Sequence, residues 1–310
     1  MKIILAIFFL FFFNLKSSAT EVKIEDMSFS NWWNTPWIPR PDNQIKAHKD
    51  LVFEKPVVYN NDLRWVNQIF LPNDKPGPFP VIVIMGDCGG VGTHNLDFMQ
   101  KALQRGYAAI VFDTHRGVRN NCGSTSQKPV NWLRMTKDAY DIAAFLSTLP
   151  NMNKNRIYSI GGSEGGMIGG FLSSPGFKFI APDAPRFRAS ASFYGCAVYP
   201  PFSSHPKSTQ THNFIFNDMD RPLLWLMGEA DNECIIKSEL QIISEFQKKM
   251  LPIEYHLYKD VTHCWDCSNK NGLRQTMWRF GSDVTVVYKY DQKIVDDSTE
   301  RVFNFFDKHK

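Results

Sequence analysis

Residues 161–165 read Gly-Gly-Ser-Glu-Gly and place Ser163 between two glycines at the spacing Gly-x-Ser-x-Gly. The motif lies between a predicted strand at 156–160 and a predicted helix at 167–172. A serine on a sharp strand-to-helix turn needs small neighbours, exposes its Oγ and lies beside the first amide groups of the helix. The alternatives are a plain glycine-rich turn or a phosphate loop, although the lysine of a Walker sequence is missing. The pattern therefore predicts that Ser163 is a nucleophile.

A nucleophilic serine requires a base, and the base requires a carboxylate that orients it. After such a turn, the order along the chain is nucleophile, acid and base. Asp231 follows a predicted strand at 222–227, and His263 follows another at 253–258. Open α/β sheets keep their sites at the carboxyl ends of strands. The sequence therefore predicts Ser163, Asp231 and His263 as the catalytic residues.

Other carboxylates and histidines compete for these roles. Glu229 and Asp260 are the rival acids, and Asp231 is favoured over both by its position in the loop. His115 also follows a strand but precedes Ser163, so it fits the expected order badly. His256 is predicted on a strand face. His94, His205 and His212 are predicted in or near loops, where they could contact substrate or nothing.

Two backbone amides are predicted to stabilise a negatively charged oxygen in the reaction. One belongs to Glu164, directly after the nucleophile, and the other comes from the loop after an early strand. That loop is residues 86–90, Gly-Asp-Cys-Gly-Gly, whose glycines allow close backbone approach to a ligand. We therefore assign the backbone N–H groups of Cys88 and Glu164 as the oxyanion donors. The Cys88 side chain is expected to be a packed thiol or half of a disulfide.

Strands and helices alternate from about residue 51 onward. The run Val-Ile-Val-Ile-Met at 81–85 is typical of a central strand covered on both faces. Strands separated by helices imply right-handed crossovers. We therefore predict an α/β fold with a mostly parallel central sheet and helices on both faces. The other predicted elements are extended segments at 52–59 and 64–71, strands at 107–112 and 189–194, helices at 96–105, 132–149 and 235–250, and a closing helix that includes 302–306.

Composition and charge narrow the function classes. The 310 residues are 43% hydrophobic and 14% aromatic, so the chain can bury a sizeable core and is too apolar to be disordered. The formal net charge is +4 and no dense Lys/Arg block occurs, which argues against nucleic acid as a partner. No metal or organic cofactor is expected, and no feature of the sequence indicates an oligomeric state.

The first residues predict an export signal. Lys2 precedes an apolar run at 3–13, and residues 17–19, Ser-Ser-Ala, offer small side chains for cleavage after residue 19. The run is shorter than the roughly 20 residues of a transmembrane helix, and an uncleaved membrane anchor is the alternative. We expect a secreted or periplasmic protein with no stable membrane insertion once the signal is removed.

The remaining chain divides into an arm and one domain. Residues 20–50, rich in Trp and Pro, predict an ordered arm on the main body, with an aromatic carbohydrate-binding patch as the functional alternative. Residues 51–310 form the predicted α/β domain. Insertions at 196–221 and 264–280 could form a cap over the site or be plain surface loops.

Six cysteines behind an export signal favour disulfides, although the sequence leaves their pairing open. Cys264 and Cys267 could form a zinc half-site, a redox pair or a local disulfide. A second such pair is missing from the sequence and the position is late in the chain, so a structural role is favoured. The other cysteines are Cys88, Cys122, Cys196 and Cys234.

From about residue 50 to 310 the sequence resembles the dienelactone hydrolase family of α/β-hydrolases. The resemblance implies an α/β-hydrolase fold with its nucleophile elbow at Ser163. It also implies a triad of Ser163, Asp231 and His263 that transfers the acyl group of a small ester or lactone in two steps. A secreted peptidase of the same fold and a non-catalytic binding relative are the alternatives. The segments that resemble the family are 84–90, 112–119, 138–140, 161–166, 228–231 and 288–291.

Two departures from the family pattern affect what the resemblance implies. The enzymes that gave the family its name use a cysteine nucleophile, whereas this chain has Ser163, which is closer to the serine esterase-like members. The early loop commonly reads His-Gly-Cys-Gly-Gly in relatives, and here residues 86–90 read Gly-Asp-Cys-Gly-Gly. Dienelactone itself is therefore not the expected substrate.

Overall fold

The computed structural model of the chain describes residues 46–47, 68–72, 77–114, 132–199, 212–279 and 282–310. The predicted signal at 1–19, the arm at 20–50 apart from Lys46–Ala47, and the predicted segment at 52–59 lie outside the described residues. His115, Cys122 and His205 also lie outside them.

The described elements alternate between strands and helices along the chain. The strands are β1 (Lys46–Ala47), β2 (Gln68–Leu71), β3 (Phe79–Met85), β4 (Ala108–Phe112), β5 (Met152–Gly162), β6 (Ala189–Phe193), β7 (Val198–Tyr199), β8 (His212–Asn213), β9 (Leu223–Gly228), β10 (Ile253–Tyr258), β11 (Arg274–Arg279) and β12 (Ser282–Val287). The α-helices are α1 (Thr93–Gln104), α2 (Trp132–Thr148), α3 (Glu164–Ser173), α4 (Ile236–Lys248) and α5 (Gln292–Lys308). Short 3-10 helices span Pro175–Ile180 and Ser268–Lys270.

The main sheet contains eight strands in the order β1-β2-β4-β3-β5-β6-β9-β10. All neighbouring strands run parallel except β2 and β4, which are antiparallel. Helices α1, α3 and α4 lie in the connections between the parallel neighbours β3 and β4, β5 and β6, and β9 and β10, because parallel neighbours require a crossover. The prediction of a mostly parallel sheet is confirmed. Its edge includes Lys46–Ala47, which the sequence had placed in the arm.

Helices cover both faces of this sheet, and β3 explains how. Ile82 and Ile84 point into a core that includes residues of α1 and α5, whereas Val81 and Val83 point into a core that includes residues of α2 and α3. Successive side chains of a strand face opposite sides, so a strand buried on both faces must be apolar throughout. The uninterrupted β-branched run is therefore a consequence of its central position. Burial of each such side chain stabilises the fold by roughly 1.5–3 kcal/mol.

Two antiparallel strand pairs lie outside the main sheet. β7 pairs with β8, and β11 pairs with β12. They fall within or beside the insertions predicted at 196–221 and 264–280, segments for which no strand is predicted from the sequence. A cap formed by these insertions stays a prediction, and residues 200–211 lie outside the described part of the chain. Among the helices that the structure describes, none combines the length and apolar character needed to cross a membrane.

Candidate active site

Ser163 lies at the junction of β5 and α3 with φ 51° and ψ −119°. A positive φ is uncommon for any residue other than glycine, and such strain costs on the order of 1–3 kcal/mol. The turn is held by the Ser163 backbone N–H, which donates to the Phe193 carbonyl at 2.9 Å. Strained backbone at a strand-to-helix turn exposes the serine Oγ at the carboxyl edge of the sheet.

The glycines around Ser163 allow three chain segments to pass close together. A Cβ at Gly161 would lie 2.4 Å from the carbonyl carbon of Gly165, and one at Gly165 would lie 2.5 Å from the Gly86 oxygen. Helix α3 therefore begins at Glu164, three residues before its predicted start. The prediction placed the start of this helix too late because glycines give no apolar periodicity and are poor helix formers.

His263 connects Ser163 to Asp231. The His263 Nε2 lies 3.0 Å from the Ser163 Oγ, and the Nδ1 lies 2.6 Å from an Asp231 carboxylate oxygen. Asp231 follows β9 and His263 follows β10, neighbouring parallel strands whose carboxyl ends meet at one edge. With Nδ1–H donating to Asp231, Nε2 is free to accept the serine proton. The structure thus brings together the three residues predicted from the sequence.

Local contacts fix the loop that contains Asp231. The Glu233 backbone N–H donates to the second Asp231 carboxylate oxygen at 2.8 Å. The Ala230 backbone N–H donates to the Val261 carbonyl at 2.9 Å, which ties this loop to the segment before His263. A disulfide between Cys196 and Cys234 attaches the end of the loop to the segment after β6. The carboxylate is therefore oriented before any substrate arrives.

The surroundings of His263 favour its protonated form. Burial lowers the pKa of His263, but the negative charges of Asp231 and Glu233 outweigh burial and raise the pKa to about 9, with Lys270 acting against them. An imidazole that stabilises an added proton in this way is a strong base. It is an effective base only while it is neutral, so the same charges set the pH at which it can act.

The acids and the histidine that competed for the acid and base roles lie outside the contacts that join Ser163, His263 and Asp231. Glu229 and Asp260 are exposed, and the Asp260 backbone N–H donates to the Glu229 carboxylate at 3.3 Å. His256 lies on β10 with its ring 4.4 Å from the Tyr258 ring, as predicted for a strand face.

Two histidines predicted in or near loops belong to regular elements. Helix α1 begins at Thr93, before its predicted start at residue 96, so His94 lies in the first turn of the helix. Its side chain is buried there, and its Nδ1 lies 3.6 Å from the Cys267 Sγ. His212 is part of β8, where backbone pairing with Tyr199 of β7 extends a segment that has no strand pattern of its own.

The early loop lies against the nucleophile turn. Its Asp87 and Gly90 exchange backbone hydrogen bonds at 3.0 and 2.9 Å, and the Gly86 oxygen faces Gly165. Glu164 is the first residue of α3, so its backbone N–H lies at the amino end of that helix, beside Ser163. Cys88 is disulfide-bonded, in agreement with one of the two roles expected for its side chain. The oxyanion role of the two amides stays a prediction.

Asp87 distinguishes this loop from the common family pattern. Its carboxylate accepts from the Gly89 backbone N–H at 2.7 Å and lies 3.4 Å from the Lys270 Nζ. Burial raises the pKa of Asp87, but Lys270, His94 and the Gly89 amide outweigh burial and leave that pKa lowered. The charged aspartate thus connects the early loop to the segment after His263.

Several residues around His263 were not found by sequence reasoning. The Glu233 Oε1 lies 3.8 Å from the His263 Nε2 and accepts the Tyr288 hydroxyl at 2.6 Å. The Tyr194 ring centroid lies 4.9 Å from that of His263, and its hydroxyl donates to Asp266 at 2.6 Å. Glu233 follows the predicted acid by two residues, which is the only sequence signal that could have pointed to it.

The paired cysteines decide between the interpretations of the Cys-x-x-Cys segment. Cys264 and Cys267 form a disulfide with each other, three positions apart. A disulfide sulfur is not a thiolate ligand, so this pair acts as a local crosslink directly after His263. The structural interpretation favoured by the sequence agrees with this arrangement.

Comparison with known proteins shows a family match over the whole site. The model of the dienelactone hydrolase family matches residues 67–310. A candidate carboxymethylenebutenolidase from Synechocystis sp. is 25% identical over 209 residues, which cover 63% of this chain and 78% of the Synechocystis protein.

Solved structures share the fold at low identity. A candidate dienelactone hydrolase from Klebsiella pneumoniae subsp. pneumoniae MGH 78578 has a TM-score of 0.55 at 17% identity, covering 76% of this chain and 90% of its own. The dienelactone hydrolase-like promiscuous phosphotriesterase P91 from metagenomic libraries has a TM-score of 0.53 at 16% identity, and the match covers 76% of this chain and 88% of the P91 chain. Thermogutta terrifontis esterase 2 phosphorylated by paraoxon has a TM-score of 0.53 at 15% identity, and the match covers 77% of this chain and 86% of the esterase chain. The fold is that of the α/β-hydrolases.

Proposed function

Since this chain belongs to the dienelactone hydrolase family, we propose that it cleaves a carboxylic ester or lactone through an acyl-enzyme formed on Ser163. The observation that supports this proposal is the continuous contact from the Ser163 Oγ through His263 to Asp231, at 3.0 and 2.6 Å. A binding protein has no use for a strained serine aligned with a buried base and acid.

In the first step, Ser163 attacks the carbonyl carbon of the substrate. His263 accepts the serine proton at Nε2 as the new carbon–oxygen bond forms, and Asp231 stabilises the resulting imidazolium from Nδ1. The carbonyl oxygen becomes negative and accepts hydrogen bonds from the backbone N–H groups of Cys88 and Glu164. Loss of one such donor typically lowers turnover by about 10²–10³-fold.

Collapse of the tetrahedral intermediate then breaks the ester bond. The Nε2–H of His263 donates its proton to the departing alkoxide, and the acyl group stays on the Ser163 Oγ. Water attacks this acyl-enzyme while His263 accepts its proton, and His263 then returns that proton to the Ser163 Oγ as the acyl–oxygen bond breaks, which releases the carboxylic acid and the free serine. For a lactone both product groups remain in one molecule, so ring opening leaves a hydroxy acid.

Labelling with a fluorophosphonate tests the nucleophile directly. We expect one adduct, mapped by mass spectrometry to Ser163, because the probe reacts only with activated serines. The adduct should disappear in Ser163→Ala and fall steeply in His263→Ala, while both variants keep the wild-type melting temperature. Ser268→Ala, which changes an exposed serine after the catalytic segment, is the matched control and should label like wild type.

Hydrolysis of matched substrates then identifies the bond that is cleaved. We expect turnover of short-chain acyl esters or of a lactone, and all of it should depend on Ser163. Turnover of amide-linked peptides with no turnover of esters would instead support a peptidase of this fold. A well-folded protein with neither adduct nor hydrolysis would contradict the proposal.

We propose that the protein acts outside the cytoplasm. The charged start and the apolar run at 3–13 support export, and disulfides such as Cys196–Cys234 persist in oxidising compartments. After expression of the full chain in an exporting host, the mature protein is expected to begin at residue 20. A protein that retains residues 1–19 in the membrane fraction would support an anchor, and an uncleaved cytosolic protein would overturn this location.

A further inference from the structure

The catalytic imidazole lies between two carboxylates. Asp231 lies at Nδ1, at 2.6 Å, and the Glu233 Oε1 lies 3.8 Å from Nε2, the nitrogen that faces Ser163. A separation of 3.8 Å is too long for a hydrogen bond, but a charge at this distance still acts strongly in a buried site. Glu233 can therefore influence the proton on Nε2 without taking it.

The Glu233 side chain is held in place. Its Oε1 accepts the Tyr288 hydroxyl at 2.6 Å, and the side chain is only 10% exposed. Hydrogen bonding to a carboxylate favours its charged form. The backbone N–H of the same residue donates to Asp231 at 2.8 Å, so one residue contacts both the acid and the base.

We infer that Glu233 is a positioning residue for the base: its fixed negative charge stabilises the imidazolium that forms when His263 accepts the Ser163 proton. This inference depends on the proposed function, because it assigns a role within the same reaction. Glu233 contributes no bond to substrate and accepts no proton. Its effect is to make His263 a stronger base, and to keep it protonated to a higher pH.

Groups from every element around His263 contribute to its charge state. Lys270 opposes the two carboxylates, and burial also disfavours the charged ring. Burial raises the pKa of Glu239 on α4 to about 8, so this nearby carboxyl contributes little negative charge at neutral pH. Among the described residues, the Tyr194 and Tyr288 rings, with centroids at 4.9 and 6.4 Å, and the Ser163 hydroxyl also lie near the ring.

Glu233→Gln separates this electrostatic role from a structural one. The hydrogen bond to Asp231 comes from the backbone N–H, which survives the substitution, and the glutamine oxygen can still accept the Tyr288 hydroxyl. The substitution removes the charge and replaces the other carboxylate oxygen with an NH2 group. Glu229→Gln is the matched control, because it is the same change on the same loop at an exposed residue.

The first measurement is the pKa of the His263 ring by NMR titration of the full chain, with the resonance assigned by its absence in His263→Ala. Wild type should titrate near the value of about 9 given by its surroundings. In Glu233→Gln the pKa should fall by about one unit or more, because an opposite charge within about 4–6 Å shifts a pKa by roughly 1–3 units. Glu229→Gln should match wild type.

The second measurement is the pH profile of ester turnover. General-base action requires neutral His263, so wild-type turnover should rise with pH through about 9. In Glu233→Gln the midpoint of this rise should move to lower pH by the same amount as the ring pKa. The KM should stay unchanged, and the turnover at high pH should fall less than about tenfold, because a weaker base slows proton transfer only in part.

The two measurements distinguish failure of this inference from failure of the proposed function. An unchanged ring pKa and an unchanged midpoint in a folded Glu233→Gln protein would overturn the inference and leave the proposed function intact. A folded wild type that hydrolyses neither esters nor lactones would overturn the proposed function, and the NMR titration would still test Glu233. If Glu233→Gln does not fold, Glu233→Ser removes the charge with a smaller polar side chain, and the ring pKa should again fall by about one unit or more. A ring pKa equal to wild type in folded Glu233→Ser would then overturn the inference.

Discussion

Two glycines four residues apart on α3 show how closely the nucleophile turn is packed. A Cβ at Gly165 would lie 2.5 Å from the Gly86 backbone oxygen, which cannot move without displacing the early loop. A Cβ at Gly169 would meet its nearest side-chain atoms at 3.5 Å, an ordinary contact. An added methyl group would therefore clash at Gly165 but fit at Gly169, one turn further along the same helix.

We expect Gly165→Ala to lower the free energy of unfolding by about 1–3 kcal/mol or more, as overpacking does. It should also abolish fluorophosphonate labelling, because the clash displaces the early loop beside Ser163. Gly169→Ala should label normally and gain up to about 1 kcal/mol, because alanine is the better helix former. Urea unfolding and labelling of both variants test this. Equal behaviour of the two variants would contradict the packing described above.

The catalytic residues could be predicted from the sequence because their constraints are local. Ser163 lies between two glycines at a recognisable spacing, and Asp231 and His263 each follow a predicted strand in the expected order. Glu233 could not be assigned in this way, since its role depends on where His263 and Tyr288 meet in space. Asp87 and Lys270 are likewise distant in the sequence and become partners only through the fold.

At the level of elements, buried strands were predictable and exposed ones were not. β3 and β9 are continuous apolar runs because both faces of each strand are buried in the sheet. In β11, Arg274, Gln275 and Thr276 are exposed, so this strand has no core face strong enough to give a clear alternation. Pairing of β11 with β12 is decided by backbone hydrogen bonds that composition does not reveal.

The Cys196–Cys234 disulfide joins the segment after β6 to the loop after β9. It spans 38 residues of sequence, whereas Cys264–Cys267 spans 3. A crosslink stabilises a protein chiefly by restricting the unfolded chain, and the effect increases with loop length. The two disulfides should therefore contribute unequally to stability.

Replacing Cys196 and Cys234 together by serine should lower the free energy of unfolding by about 2–4 kcal/mol. The corresponding double replacement of Cys264 and Cys267 should cost less than about 2 kcal/mol, because its loop is short. Chemical unfolding of the two double variants against wild type gives both values. A larger loss for the Cys264 and Cys267 pair would show that local strain or packing, and not chain entropy, dominates.

On the scale of the whole molecule, α5 closes one face of the sheet at a distance from the chemistry. Its Phe306 is fully buried, and its ring stacks on that of Tyr158 in β5 with centroids 4.6 Å apart. Phe303 of the same helix stacks on Phe98 of α1 at 5.5 Å. The site occupies the carboxyl edge of the strands, where Ser163 follows the last residue of β5. Stability and catalysis thus depend on different parts of one sheet.

This separation predicts that Phe306→Ala destabilises the fold without disabling the site. Loss of a buried phenylalanine should cost about 3–5 kcal/mol, because it removes apolar contacts and leaves a cavity. Phe179→Ala is the matched control, since that side chain is 68% exposed and its loss should change stability little. At a temperature well below the unfolding transition, both variants should form the Ser163 adduct at the wild-type rate. A slower rate in folded Phe306→Ala would mean that α5 also holds the nucleophile turn in its reactive geometry.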